Sequence, residues 1–337
     1  MTRAPTAYVR NLRRRTKDEL RLRFEHLLFG CLAELGFDVV EQSWSPDDPE
    51  PWLRDRHRSG DARPVILYEH LSRNQKPDGD AYYMEMYLNG TFTLDRDGWG
   101  PFQASMRNMP DISHVNSADS VAYCAELSET WVRSGESKYS QPTPKTISAP
   151  QGYIFLPLQL SADDAIVCHS EIGVSEFLHQ VAAWAVRTDR PLVIKLHPYN
   201  DDPAVADAVR FWTQKSNIYQ SQENVHSLIC QAAGIITINS GCGFEALVHG
   251  KPVVTFGQCD YKWVTFMGLG VNLDLAAAYI DGYSPEQRMR AYNWVNYYLT
   301  EHALDVRGEA WAATGARLKS RLGRILLPVS EGLSERG

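Results

Sequence analysis

A chain of 337 residues is long enough for about two domains, each able to bury its own core. Its 44% hydrophobic and 22% charged residues are typical of an ordinary globular protein, and the formal net charge of −7 argues against a general nucleic-acid binder. No apolar run approaches the roughly 20 residues that span a bilayer, and charged residues at 16–23 stand where a secretory signal would be apolar. Six scattered cysteines without a Cys-x-x-Cys pair predict reduced thiols in a cytoplasmic protein.

The first 70 residues predict an irregular mixture of helix, strand and loop. Residues 1–15 carry five arginines and little apolar content, which predicts a solvated tail; a basic arm on anionic lipid is the alternative. Apolar spacing predicts an amphipathic helix over 16–35, a strand over 37–40 and, after a polar loop over 43–63, a strand over 65–70. Glu69 and His70 end that last strand, where open α/β sheets bind ligands. We therefore consider both as acceptor-side residues, although a solvated strand end is the commoner explanation.

The next stretch predicts a hairpin, a helix and a linker. The dipeptide Asn89-Gly90 within an alternating segment predicts a hairpin over 82–94. A helix is predicted over 118–134. The Ser/Pro/Lys-rich residues 135–150 that follow are interpreted as a linker, so we expect a domain boundary at 150.

From residue 151 the pattern becomes regular, with strands alternating with helices. Strands are predicted over 152–160, 192–196, 218–220, 235–238 and 253–256, and helices over 174–187, 203–216, 225–233 and 244–249. Such alternation is typical of parallel βαβ crossovers and predicts a doubly wound, Rossmann-like sheet. Two last helices, over 285–299 and 306–326, are expected to pack back across the domains.

Three loops in this half leave the carboxyl ends of predicted strands, which share one edge of a parallel sheet. They carry Gln159, Asp163 and Asp164, then Lys195, His197 and Pro198, and then Asn239, Ser240, Gly241, Gly243 and Glu245. A helix N-terminus after the glycines would offer N–H groups to a phosphate, and Glu245 could contact a ribose. Separately, each feature is also typical of a helix cap, a satisfied histidine or a tight crossover. Together they predict a site for a nucleotide-activated donor.

The same motifs resemble a known family. The order Phe-Leu-Pro-Leu-Gln-Leu-x-x-Asp (155–163), Lys-Leu-His-Pro (195–198) and Asn-Ser-Gly-x-Gly-Phe-Glu-Ala-Leu-x-x-Gly-Lys-Pro-Val (239–253) is similar to capsule polysaccharide biosynthesis proteins. That family includes retaining β-Kdo glycosyltransferases that use CMP-Kdo. The resemblance covers residues 151–265, and the sequence departs from the family pattern at Asp164-Ala165 and at Tyr261-Lys262-Trp263.

The resemblance implies a fold and a division of the chain. It implies a GT-B-like α/β arrangement, in which two Rossmann-like domains face each other across a cleft. We expect an acceptor-side domain over 1–150, a donor domain over 151–284 and helices crossing back over 285–337. The resemblance further implies that Asp163 is the catalytic carboxylate, that His197 contacts the donor phosphate and that Glu245 belongs to the nucleotide pocket.

The predicted function is that of a glycosyltransferase of bacterial surface polysaccharide biosynthesis. It would transfer Kdo or a related keto-sugar acid from a CMP-sugar donor to a glycan or glycolipid, with retention and with Asp163 as nucleophile. Because CMP leaves with a single phosphate, we expect no metal and no other cofactor. The expected location is the cytoplasm, with a peripheral contact at the inner face of the cytoplasmic membrane as an option. The alternatives are a UDP-sugar GT-B transferase or epimerase, and a non-catalytic subunit of a polysaccharide assembly complex.

Overall fold

The computed structural model describes residues 4–12, 18–44, 64–72, 79–139, 141–142, 149–268, 270, 272–308 and 311–327. The arginines at positions 3 and 13–15, most of the predicted loop over 43–63 and part of the predicted linker lie outside these residues. The chain forms two compact units. The first unit spans Met1–Pro110 and Leu299–Gly337, and the second unit spans Asp111–Tyr298.

The regular elements are numbered in chain order. The helices are α1 (Glu19–Glu34), α2 (Ser117–Ser134), α3 (Asp164–His169), α4 (Val174–Arg187), α5 (Pro203–Trp212), α6 (Val225–Gln231), α7 (Gly241–Val248), α8 (Leu273–Asp281), α9 (Pro285–Tyr297) and α10 (Trp311–Leu326). The strands are β1 (Thr6–Leu12), β2 (Asp38–Trp44), β3 (Val65–Glu69), β4 (Ala81–Glu85), β5 (Thr91–Asp95), β6 (Ile154–Pro157), β7 (Leu192–Lys195), β8 (Ile218–Gln220), β9 (Gly234–Thr237), β10 (Val253–Thr255), β11 (Phe266–Met267) and β12 (Leu304–Asp305).

The first unit is built on a six-stranded sheet in the order β12-β5-β4-β3-β1-β2. Strands β1 to β4 are parallel, β5 is antiparallel to β4, and the predicted hairpin over 82–94 is therefore confirmed. The prediction of a solvated tail over 1–15 is wrong for residues 6–12, because they form β1 between β2 and β3. Ala7 and Val9 are fully buried there and Arg10 is 3% exposed. Hydrogen bonding to a neighbouring strand on each side stabilises β1 despite its low apolar content.

Helices α1 and α10 cover this sheet. Asp18 caps α1 by accepting a hydrogen bond from Arg21 N at 2.9 Å, which starts the helix three residues later than predicted. Phe24 and Leu28 of α1 share a buried core with Leu318 of α10. The expectation that the C-terminal helices pack back is thus confirmed for α10, whereas α9 belongs to the second unit.

The division of the chain differs from the expected boundaries at 150 and 284. Helix α2 was expected in the N-terminal domain but lies in the second unit, where Asn296 Nδ2 donates to Ser120 Oγ at 3.1 Å and Ser128 Oγ lies 2.7 Å from His249 Nδ1. These contacts join residues more than 100 positions apart along the chain. Composition after residue 134 indicates only where the chain turns, and it carries no information about such partners.

The second unit is a doubly wound parallel sheet, as predicted. Its strand order is β11-β10-β9-β6-β7-β8, and every pair is parallel. From β6 the chain moves outward through β7 and β8, then returns to place β9 on the other side of β6. The switch point therefore lies between β6 and β9, the position at which such sheets bind ligands beyond their carboxyl ends. Helices α3 and α8 were not predicted from the sequence.

The expectations of reduced cysteines and of no membrane-spanning segment can be compared with the described residues. All six cysteines are free, and Cys31, Cys124 and Cys259 are buried. No helix in the described part of the chain is long and apolar enough to cross a membrane.

Candidate active site

The loops after β6 and β9 are joined at the switch point by a reciprocal pair of amides. Gln159 Nε2 donates to Asn239 Oδ1 at 2.9 Å, and Asn239 N donates to Gln159 Oε1 at 3.1 Å. Asn239 Nδ2 also donates to the carbonyls of Ala165 and Gln258, at 2.7 and 3.2 Å. Both amides are buried. Gln159 and Asn239, which the sequence predicts to bind the donor, therefore hydrogen-bond to each other and join the loops after β6 and β9.

Asp163 lies at the start of α3, half-buried at the same edge. Its Oδ1 accepts a hydrogen bond from Ala165 N at 2.8 Å, so the residue is the N-cap of a six-residue helix. Its charge acts on His197, whose pKa it raises against the stronger lowering effect of burial. Ser161 Oγ, in the same loop, donates to Asp202 Oδ2 at 2.6 Å, so the loops after β6 and β7 meet as predicted.

His197 follows β7 and is neutral near pH 7, because burial lowers the pKa of its imidazole. Its Nδ1 lies 3.2 Å from Tyr199 N and accepts that hydrogen bond, which leaves the proton on Nε2. The ring lies edge-on to that of Tyr139, with 4.9 Å between centroids and an interplanar angle of 80°. His197 can therefore donate a hydrogen bond from Nε2 without carrying a charge.

The other two predicted residues of this loop differ in exposure. Lys195 is 8% exposed, and its Nζ donates to the carbonyls of Gln222 and Glu223 at 3.1 and 2.7 Å. Burial lowers the pKa of this ammonium. Lys195 thus donates to the loop after β8 the hydrogen bonds that we expected it to donate to a ligand. Pro198, by contrast, is exposed at the surface.

The glycine-rich turn after β9 opens α7 three residues earlier than predicted. Ser240 is the N-cap, with Oγ accepting from Cys242 N at 3.2 Å, and Gly241 is exposed. Tyr261 OH donates to Ser240 O at 2.6 Å, and a Cβ on Gly243 would lie 2.6 Å from the same hydroxyl oxygen. The glycine at 243 is therefore required by Tyr261, which braces the turn from inside the unit.

Glu245 lies one turn into α7, not in its first turn, and is 4% exposed. Its Oε1 accepts a hydrogen bond from Ser137 Oγ at 2.6 Å. Its Oε2 has no hydrogen-bond partner among the residues that the structure describes. Burial raises the pKa of this carboxyl, and His226 and Ser137 partly offset the rise. A buried carboxylate oxygen without a partner is costly, and it marks a place where a ligand hydroxyl could bind.

The segment after α2 was interpreted as a linker, and its part in this site was missed. Gly135 ends α2 with φ 69°, and its carbonyl accepts a hydrogen bond from buried Asn224 at 3.0 Å. The chain then brings Ser137 onto Glu245 and Tyr139 onto His197. Gly135 was the only local signal of this turn. Nothing in the local sequence indicates which distant residues the turn approaches.

The two acceptor-side candidates lie in the first unit, and the structure treats them differently. Glu69 is 1% exposed and forms an ion pair with Arg21. His70 is half-buried, and its ring lies 5.5 Å from that of Trp99. Its backbone has φ 57°, an uncommon conformation for a residue other than glycine. Glu69 is therefore a structural residue, and His70 is the better acceptor-side candidate.

Comparison with known proteins identifies the family of this chain. A family model described as capsule polysaccharide biosynthesis protein matches residues 106–303, more than half of the 337 residues. The chain belongs to the capsule polysaccharide biosynthesis family. The match begins and ends five residues outside the second unit, and it extends on both sides of the 151–265 region in which the motifs were recognised.

Individual members and solved structures are more distant. Protein FixF of Sinorhizobium fredii is 26% identical in an alignment 206 positions long, which covers 56% of this chain and 50% of that protein. The chain thus spans about half the length of this curated relative. The structure of Thermosulfurimonas dismutans KpsC, beta Kdo 2,7 transferase, is similar over 94% of this chain and 99% of its own, with TM-score 0.50 and 14% identity. A second from that organism, the beta Kdo 2,4 transferase, has TM-score 0.48 and 13% identity over 86% of this chain and 90% of its own. The first likeness shows that this capsule polysaccharide biosynthesis family member shares that fold.

The edge of the second unit thus combines four chemical groups. They are the Asp163 carboxylate, the neutral His197 imidazole, the N-terminus of α7 and the buried Glu245 carboxyl. Within the described residues, no group of three or more His, Cys, Asp or Glu side chains is placed to hold a metal ion. Such groups can donate hydrogen bonds to an anion and present a carboxylate to a bound ligand.

Proposed function

We propose that this chain is a retaining glycosyltransferase that transfers Kdo or a related keto-sugar acid from a CMP-sugar to a glycan or glycolipid acceptor. Membership of the capsule polysaccharide biosynthesis family supports a role in surface polysaccharide synthesis. The observation that supports the mechanism is that Asp163, after β6, lies close enough to His197, after β7, for its charge to raise the pKa of that imidazole. A carboxylate and a hydrogen-bond donor there can act on the two ends of one glycosidic bond.

Asp163 is proposed as the nucleophile. The anomeric carbon of a keto-sugar acid bears a carboxylate and no hydrogen, so its transition state resembles an oxocarbenium ion and is stabilised by a nearby anion. An oxygen of Asp163 forms an ester bond to the anomeric carbon while the bond from that carbon to the phosphate oxygen of CMP breaks. The acceptor hydroxyl oxygen then bonds to the anomeric carbon as the ester bond to Asp163 breaks, the hydroxyl proton passes to solvent, and the Asp163 carboxylate is regenerated. The two inversions retain the configuration.

Departure of CMP requires stabilisation of its phosphate. We assign this to the Nε2–H group of His197 and to the N–H groups near Ser240 and Gly241 at the start of α7. Glu245 is proposed to accept hydrogen bonds from the ribose, because one of its oxygens lacks a protein partner among the described residues. Gln159, Lys195 and Asn239 hold these loops in place, and Pro198 shapes the exposed end of the loop at His197. The mechanism needs no cofactor.

The donor nucleotide is tested by thermal unfolding with CMP, CDP, UDP and GDP at equal concentration. We expect CMP to raise the melting temperature most, since a ligand stabilises the folded state according to its affinity. A larger effect of UDP would instead favour the alternative of a UDP-sugar transferase or epimerase.

The nucleophile is tested with Asp163→Asn and with Asp164→Asn as the neighbouring control. We expect Asp163→Asn to abolish transfer and to prevent a sugar-sized adduct in intact-mass spectra of enzyme incubated with CMP-Kdo. Nucleotide affinity should remain, because the phosphate is held by other loops. Full transfer activity in Asp163→Asn, with deamidation excluded by mass, would end the covalent proposal.

A non-catalytic role in a polysaccharide assembly is the second candidate. It is favoured by the hydrogen bond from Ala165 N to Asp163 Oδ1, since a helix cap explains the aspartate without chemistry. Under that hypothesis Asp163→Asn costs about 1 kcal/mol of stability or less, and the wild-type protein neither transfers the sugar nor forms an adduct. The same mass experiment therefore separates the two candidates.

A further inference from the structure

The segment between α2 and the second-unit sheet contacts the candidate site at three successive points. Glu136 O lies 2.6 Å from His226 Nε2, Ser137 Oγ donates to Glu245 Oε1 at 2.6 Å, and the Tyr139 ring contacts His197. Ser137 and Tyr139 thus connect the helix after β9 to the loop after β7. Lys138 lies between them and is half-buried.

A chain of hydrogen bonds fixes this segment in place. The carbonyl of Glu136 can only accept, so His226 Nε2 donates to it, and His226 Nδ1 lies 3.0 Å from His249 Nε2. His249 Nδ1 in turn lies 2.7 Å from Ser128 Oγ. Burial lowers the pKa of His249 to about 3, with a smaller contribution from His226, so His249 is neutral near pH 7. Ser137–Tyr139 is therefore held by the body of the second unit.

A positive charge at this site would favour binding of a phosphate, but neither Lys195 nor His197 offers a free cation there. Lys195 Nζ already donates to two carbonyls, and His197 is neutral near pH 7. Lys138 stands in the chain between Ser137, which donates to Glu245, and Tyr139, which contacts His197, and its charge also favours the ionised form of the Glu245 carboxyl. A nucleotide phosphate bound between His197 and the start of α7 would carry one or two negative charges beside this lysine.

We propose that Ser137–Tyr139 forms a further wall of the donor site and that Lys138 binds the phosphate of the nucleotide. This assignment rests on the proposed function, because it takes the ligand of the site to be a nucleotide. Ser137 holds one oxygen of Glu245 and leaves the other for the ligand, while Tyr139 positions the His197 ring from its edge. Lys138 supplies the cation that Lys195 was predicted to supply.

The test compares CMP with cytidine, which lacks the phosphate, by isothermal titration of four proteins: wild type, Lys138→Gln, Lys138→Arg and Lys215→Gln. Lys215 is the control, because it lies beside Phe211 on the surface of the same unit. A charge-assisted hydrogen bond is worth roughly 10- to 150-fold in affinity, so Lys138→Gln should weaken CMP binding by about that factor. Cytidine binding should stay unchanged, Lys138→Arg should retain most of the CMP affinity, and Lys215→Gln should bind like wild type.

The outcomes separate this inference from the proposed function. If Lys138→Gln binds CMP within twofold of wild type, or loses cytidine and CMP affinity equally, the assignment of Lys138 is overturned while the donor proposal stands. If wild type prefers UDP to CMP, the donor proposal falls, and the same comparison of UDP with uridine decides Lys138. A wild-type protein that binds none of these nucleotides overturns both. Melting temperatures of the variants verify that each is folded.

Discussion

The two sheets end in polar clusters at the carboxyl ends of their parallel strands, and the clusters differ in how they are satisfied. In the first unit Arg21 forms ion pairs with both Glu25 and Glu69, and all three residues are at most 5% exposed. Nearby, Tyr83 OH donates to Asn11 Oδ1, and Asn11 Nδ2 donates to Glu41 Oε1 at 2.7 Å. The charges of this cluster are therefore paired within the protein.

At the carboxyl edge of the second-unit sheet the polar groups are less completely paired. Glu245 Oε2 is buried without a hydrogen-bond partner among the described residues, and His197 and Asp163 are only half-buried. Position in the sheet is equivalent in the two units, so topology alone does not distinguish a ligand site from a structural cluster. The distinction lies in whether distant parts of the chain satisfy the polar atoms. The following predictions test this difference, from the largest expected effect to the smallest.

The largest effect is expected from Glu69→Ala in the first unit. Without Glu69, only Glu25 remains to balance the charge of the buried Arg21 guanidinium. Removing one partner of a buried ion pair typically lowers the free energy of unfolding by about 3–5 kcal/mol. Urea unfolding followed by fluorescence measures the change. Glu34→Ala is the control, since Glu34 and Lys319 form an exposed pair whose loss should cost about 0–1 kcal/mol. Equal costs for the two variants would mean that the first-unit cluster is not a stabilising network.

An intermediate effect, on binding more than on stability, is expected from Glu245→Gln. The amide keeps the shape of the side chain and can still accept from Ser137, but it loses the charge offered to ribose hydroxyls. A hydrogen bond to a charged group is worth about 1.5–3 kcal/mol, so nucleotide affinity should fall roughly 10- to 150-fold in a titration. Unchanged affinity together with a lower melting temperature would assign Glu245 a structural role like that of Glu69.

The smallest effect is a pH dependence of stability at the same residue. Burial raises the pKa of Glu245 in the folded protein above its unfolded value, so the folded state binds the proton more tightly. Its contribution to stability is therefore fully present below the unfolded pKa, near 4.5, and is lost as the pH rises through the folded pKa. The melting temperature of Glu245→Gln relative to wild type should increase between pH 4 and pH 8.

Glu286 is a control for which the pH dependence of stability should have the opposite sign. A hydrogen bond from Ser284 lowers the pKa of this exposed carboxyl at the start of α9, so its contribution is present above the unfolded pKa and lost on acidification. Glu286→Gln should therefore become less stable relative to wild type as the pH rises. The same pH trend in both variants would contradict the proposed origin of the Glu245 shift.

Much of the second unit was predictable from the sequence because its signals are local. The helix over 174–187 and the strand over 218–220 have the predicted bounds, and the alternation of strands and helices indicated the parallel sheet. The meeting of the loops after β6, β7 and β9 followed from the rule that parallel strands end at one edge, and hydrogen bonds join the first of these loops to each of the others. Family membership also followed from the spacing of motifs in these loops.

The partners of individual side chains were decided only by the tertiary structure. Lys195 and Gln159 have the residue types of ligand-binding groups, yet the fold brings carbonyls and an amide within reach of them. Ser137 has no local signature of function, yet the turn at Gly135 carries it to Glu245, 108 positions away. Local sequence determines which groups are available and where strands end. Long-range packing determines which of these groups are already hydrogen-bonded, and therefore which remain to bind a ligand.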